Sequence, residues 1–220
     1  MRFDIRRYFW PLLALSAGLA ALTLLLMPAE RTIGAVIKIV YLHGALSRAG
    51  MIGFLASGAA GLAYLISSRP ALDRWGRALL LSGWGFWAAH FLVSLPATRL
   101  TWGPWVAWGE PRVTLTLQIM GAGLVVIAID WLLRDARFAA AADLMLGSTV
   151  LWLAARSGVI RHPLDPIGQS PSALMRLAYF MLLVPAVGSM VLVAWRLTAT
   201  AFVRTGTGKT EQAPNPMEAR

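Results

Sequence analysis

The sequence predicts an all-α integral membrane protein with six transmembrane helices and both termini cytoplasmic. Three observations lead there. Hydrophobic residues make up 58% of the 220 positions and charged residues only 14%, whereas a soluble domain carries about 25% charged residues. The apolar residues gather into six runs, each near the roughly 20 residues a helix needs to cross a bilayer. The basic residues divide unevenly between the two sets of connecting segments.

Residues 8–27 carry no charge. Arg2, Arg6 and Arg7 precede this run as they would in a secretory signal. The run is too long for one, however, and Met27-Pro28-Ala29-Glu30 is a poor cleavage site, so it reads as a retained first span. Residues 49–67 are uncharged and close at Ser68-Arg69-Pro70. Around this second span Ala45, Ala49, Gly53, Ser57 and Gly61 recur every fourth residue. Small groups on one helical face let another helix approach closely, and packing within the chain is a plainer use for the stripe than a dimer seam. The third span, 78–95, contains one ionisable group, His90. An ionisable residue inside a membrane is a functional candidate by default, but a neutral ring bonded to a neighbouring helix is the plainer expectation. Residues 113–129 hold only Gln118 as a strongly polar group, 138–155 hold Asp143 near their start, and 177–195 are uncharged. The membrane domain thus covers 1–204. The tail 205–220, with Pro214 and Pro216, is expected to be disordered and cytoplasmic. It includes Gly206-Thr207-Gly208-Lys209-Thr210, but Val203 stands where a phosphate loop needs Gly, and no strand precedes it.

The net charge is +10. On a soluble chain that excess would point to nucleic acid; on this one it points to an anionic bilayer surface, with no nucleic-acid partner. Six spans place the N-terminus, the 68–77 and 134–137 loops and the tail on one side with twelve basic residues, against eight on the other. The positive-inside rule assigns the richer side to the cytoplasm. The absence of Cys excludes disulfides, thiolate metal sites and covalent thiol chemistry. No Ser/His/Asp set, HExxH pattern or nucleotide motif occurs, so no enzyme activity is expected.

The outer segments 28–48, 96–112 and 156–176 concentrate the chemistry. Trp102, Trp105 and Trp108 fall within seven residues in a stretch broken by Gly103, Pro104, Gly109 and Pro111. An aromatic belt explains isolated tryptophans such as Trp75 and Trp195, but a cluster of indoles in one loop also makes a platform for a large planar apolar ligand. His43 and His162 lie on the same side as this loop. Together they can supply two axial nitrogens to a haem iron. Lys38, Arg48, Arg99, Arg112, Arg156 and Arg161 are the cations able to pair with haem carboxylates.

These segments resemble the CcmC-type haem-handling proteins of cytochrome c maturation. Trp102-Gly103-Pro104-Trp105 with Trp108 matches the aromatic frame of that family's tryptophan-rich motif, and Arg112-Val113-Thr114 matches its end. The segment Lys38-Ile39-Val40-Tyr41-Leu42-His43 is similar to the first histidine segment, and Arg161-His162-Pro163-Leu164 to the second. Val106 replaces the second indole of the central pair, and Gly109-Glu110-Pro111 replaces the motif's Asp with one residue of extra spacing. The resemblance implies haem b held transiently and without a covalent bond. His43 and His162 would be the iron ligands, with Trp102, Trp105, Trp108, Glu110 and Arg112 around the ring. It implies delivery to a haem chaperone resembling CcmE, with an ABC transporter resembling CcmAB, at the outer (periplasmic) side of a bacterial or archaeal plasma (inner) membrane. The alternatives read from the residues are a haem-free membrane subunit of a transporter or respiratory complex, or a b-type cytochrome using His90.

Overall fold

A computed structural model describes residues 5–158 and 170–199. It contains six helices: α1 (Ile5–Leu26), α2 (Ile37–Ser67), α3 (Pro70–Trp102), α4 (Pro111–Leu133), α5 (Ala136–Arg156) and α6 (Ala173–Thr198). All six are long and apolar enough to cross a membrane. The chain is therefore all-helical and of multi-pass membrane type. The tail 205–220 and its Gly-Thr-Gly-Lys-Thr run lie outside the described residues.

Two helices extend beyond their apolar runs. α2 begins at Ile37 rather than at residue 49, and α3 continues past residue 95 to Trp102. With 31 and 33 residues, they measure about 46 and 50 Å, well over the roughly 30 Å of a hydrocarbon core. Hydropathy marks where a helix leaves the apolar layer, not where its backbone hydrogen bonds stop, so the helical overhang was hidden in the sequence. As a result His43 stands on α2 itself, near its N-terminal end, rather than in a loop.

The small-residue stripe forms the centre of the bundle. Ala45, Ala49 and Ser57 are almost wholly buried. A Cβ on Gly53 would lie 2.5 Å from the Gly83 Cα of α3, and one on Gly58 would lie 3.1 Å from the Asp143 carbonyl oxygen of α5. α2 thus touches two neighbours through bare backbone, which is the intramolecular packing expected of the stripe. α4 is attached to α3 by two indole N–H donors: Trp84 Nε1 to the Met120 carbonyl at 2.9 Å, and Trp87 Nε1 to the Thr116 carbonyl at 3.1 Å. Ser82 Oγ donates to the Met190 carbonyl at 2.7 Å and ties α3 to α6. α1 packs mainly on α6 and leaves Trp10, Leu15, Leu19 and Leu25 outward, as a lipid-facing helix does.

The two ends of the bundle are built differently. At one end α2–α3 and α4–α5 are joined by two-residue turns, each with a left-handed residue, Ser68 and Arg134 (φ 53° in both), followed by an extended one. Pro70 then opens α3, and Asp135 caps α5 by accepting from the Phe138 N–H at 2.7 Å. At the other end the connections 27–36, 103–110 and 157–172 are longer.

Candidate functional site

The site expected from the sequence lies at the end with the longer connections. His43 is half-buried on α2, and His90 of α3 is buried against it. The two rings stack with centroids 4.4 Å apart and planes 26° apart. His90 Nδ1 lies 3.2 Å from the backbone oxygen of His43. A carbonyl only accepts, so Nδ1 carries a proton and donates it. The plain expectation for His90, a ring bonded to a neighbouring helix, is what the geometry shows. Below the pair, Trp87 lies 5.1 Å from the His90 ring, and Phe54 meets Trp87 edge-on at 6.1 Å. Axial ligands of a haem stand on opposite faces of the macrocycle. Two rings in van der Waals contact leave no room for it between them, so His43 and His90 do not form a b-type iron site as they stand.

The tryptophan loop starts where α3 ends. α3 passes through Pro96, and the Arg99 guanidinium binds the Gly103 carbonyl. Gly103 takes φ 94°, a conformation that L side chains rarely adopt, which makes this residue the stop. Ala107 and Glu110 then anchor the loop. Both are 2% exposed, and the Glu110 N–H donates to the Ala107 carbonyl at 2.8 Å. Trp105 and Trp108, by contrast, are 60% and 72% exposed. Trp102 is half-buried at the helix terminus. The loop therefore turns its small and acidic residues inward and two indoles outward.

The expected carboxylate-binding cations sort themselves by partner. Lys38 Nζ donates to the Leu25 carbonyl at 3.1 Å and so closes the end of α1. Arg99 is engaged by Gly103, and Arg156 lies over the Trp152 ring at 5.2 Å. Arg48 and Arg112 are different. Arg48 is exposed, Arg112 is half-buried, and each lies in the other's field together with Glu110. The Arg112 Nε is buried with no hydrogen-bond partner among the described residues. A guanidinium with an idle donor, in the field of a second cation, is able to meet a carboxylate. His162 and Arg161 lie outside the described residues.

Glu30 shapes the neighbouring 27–36 connection. Its carboxylate accepts from the Thr32 N–H at 2.7 Å and the Ile33 N–H at 3.0 Å. Glu30 and Gly34 exchange backbone hydrogen bonds at 3.1 and 2.9 Å. The Ile33 and Thr32 amides hold the Glu30 carboxyl below the usual carboxylate range.

Sequence reasoning left two features unassigned to any site. One is the His43–His90 stack. Its available signal was the Trp87–His90 spacing, which puts both rings on one face of α3. The other is the polar cluster at the opposite end. There Arg77 pairs with Asp130 at 3.1 Å, and Ser57 Oγ donates to the Gly76 carbonyl at 2.8 Å beside the buried Asp143. In comparisons with known proteins, no family model and no curated protein matches this chain.

Proposed function

We propose that this chain binds haem b at the end of the bundle bearing the tryptophan loop and passes it on during cytochrome c maturation. The observation that carries this reading is the presence of three kinds of group at that end. They are the half-buried imidazole of His43, the outward indoles of Trp105 and Trp108, and the guanidiniums of Arg112, which has an idle donor, and of Arg48, whose charge acts on it. The indoles offer an apolar surface to the macrocycle, and the guanidiniums meet its carboxylates. His43 and His162 are the iron ligands of this reading, with Trp102, Glu110 and Arg112 completing the site.

Haem is cargo here. With no Cys in the chain, it is held only by coordination and packing, which leaves it free to depart. The acceptor is a chaperone resembling CcmE, and an ABC transporter resembling CcmAB drives release. The site faces outward from a bacterial or archaeal plasma membrane, because the opposite end and the tail carry more basic residues. The test is spectroscopic. The purified full chain should show a Soret band, and His43→Ala and His162→Ala should each shift or weaken it. Two variants with the wild-type spectrum would refute the ligand assignment. A haem-free chain that still assembles with an ABC transporter would favour a haem-free subunit.

A further inference from the structure

The proposed haem site makes no use of His90. Its surroundings give it a defined task. One to three turns away from the histidines, α2 and α3 are in backbone contact. A Cβ on Gly50 would lie 2.9 Å from the Trp87 backbone nitrogen, and one on Gly53 would lie 2.5 Å from the Gly83 Cα. Only this close approach lets a side chain on α3 reach a main-chain carbonyl of α2. His90 does so, with Nδ1 3.2 Å from the His43 oxygen. Trp87 backs the His90 ring at 5.1 Å and is itself fixed by its Nε1–H bond to the Thr116 carbonyl at 3.1 Å. The His90 ring is therefore held on one edge by α2 and on one side by an immobilised indole. The His43 ring stacks on this held ring at 4.4 Å.

We infer that His90 is a positioning residue for His43: its ring, locked by the Nδ1–H bond to the His43 carbonyl, is the wall that fixes the orientation of the His43 imidazole. This rests on the reading of His43 as an iron ligand. A metal-binding histidine needs its ring orientation fixed, and such outer partners typically contribute about 10- to 100-fold to metal affinity. His90 acts through His43 rather than on the iron, because rings stacked at 4.4 Å cannot occupy opposite faces of one haem. The lock also sets a tautomer. With the proton on Nδ1, the lone pair of the neutral His90 ring is on Nε2, and no hydrogen bond to Nε2 occurs among the described residues.

The experiment uses the full chain in nanodiscs, ¹⁵N-labelled at histidine, with His90→Ala, His90→Asn and His43→Ala. The haem-free wild type should show one imidazole protonated on Nδ1, and that signal should vanish in both His90 variants. A proton on Nε2 would overturn the lock whether or not haem binds. Titrated with hemin, His90→Ala should bind about 10-fold more weakly while keeping the wild-type iron coordination number. His90→Asn, which retains an N–H near the Nδ1 position, should lose less, and it serves if His90→Ala does not fold. Wild-type affinity in both variants would overturn the inference. So would a fall to lower coordination in His90→Ala, which would make His90 a ligand. Unchanged hemin binding in His43→Ala would instead remove the reading of His43 and the inference with it.

Discussion

The two ends of this bundle solve opposite problems. At the end with two-residue turns, several polar groups are paired inside the protein, Arg77 with Asp130, Ser57 with the Gly76 carbonyl and Asp135 with the α5 N-terminus, while Arg196 Nη1 in the last turn of α6 has no hydrogen-bond partner among the described residues. At the other end the helices overshoot the apolar layer and the connections are long. Two indoles face outward there, and a guanidinium nitrogen of Arg112 has no hydrogen-bond partner among the described residues. A paired polar group lowers the energy of the fold, while an unpaired one awaits something else. The contrast teaches that changes at the first end should be read in stability and changes at the second in binding.

The largest effect should come from the seam that serves both ends. Gly53→Val places a side chain where Gly83 backbone lies 2.5 Å from the Cβ position, so α2 and α3 must part. A loss of about 3 kcal/mol or more is expected, together with loss of the His43–His90 stack, checked by SDS-unfolding and by hemin titration. If Gly53→Val unfolds as the wild type does, the backbone contact does not govern the bundle. Next comes Arg77→Ala at the closed end. It leaves the Asp130 carboxylate, which is only 8% exposed on its side chain, without its cation. A fully buried pair would cost about 3–5 kcal/mol to break, and the partly exposed Arg77 lowers the expectation to roughly 2–3 kcal/mol. Hemin affinity should not change.

Trp108→Ala reverses that pattern. At 72% exposure its removal should alter stability by no more than about 0.5 kcal/mol, yet weaken hemin binding about 10-fold as a lost aromatic anchor would. Equal affinities for the variant and the wild type would make the outward indoles membrane anchors only. Arg134→Gly, at φ 53°, should gain about 0.5 kcal/mol by relieving a left-handed conformation, visible as a higher melting temperature in detergent. The smallest effect is at Glu30. Its carboxyl is held below the usual range by the Ile33 and Thr32 amides, so its contribution to the 30–34 turn is complete above ordinary carboxylate values. That contribution should be lost as pH falls through the lowered one. The protection of the Thr32 and Ile33 amides, measured relative to their intrinsic exchange rates, should then fall on acidification, and Glu30→Gln should abolish the pH dependence of that protection.

Much of the fold was legible in the sequence because membrane spans are written in composition. Six apolar runs were enough to number the helices, and the four-residue recurrence from Ala45 to Gly61 marked the face that α2 buries. The same legibility stopped at the ends of α2 and α3, where polar residues continue the helix without an apolar signature. His43 therefore reads as a loop residue until the helix is seen to begin at Ile37.

The candidate site was legible only as an inventory. Tryptophans, histidines and cations on one side of a chain can be counted from spacing and parity. Which cation is already engaged cannot be counted in this way. Lys38 and Arg99 looked no different from Arg112 until their carbonyl partners came within reach. Sequence by itself determined that six segments are apolar and long enough to cross a membrane, because that depends on runs of neighbouring residues. Tertiary structure alone decided that His90 meets His43 and that Arg48 shares its field with Arg112. Those pairs join residues distant in the chain, and for His43 and His90 the distance is set by how closely glycine lets α2 and α3 approach.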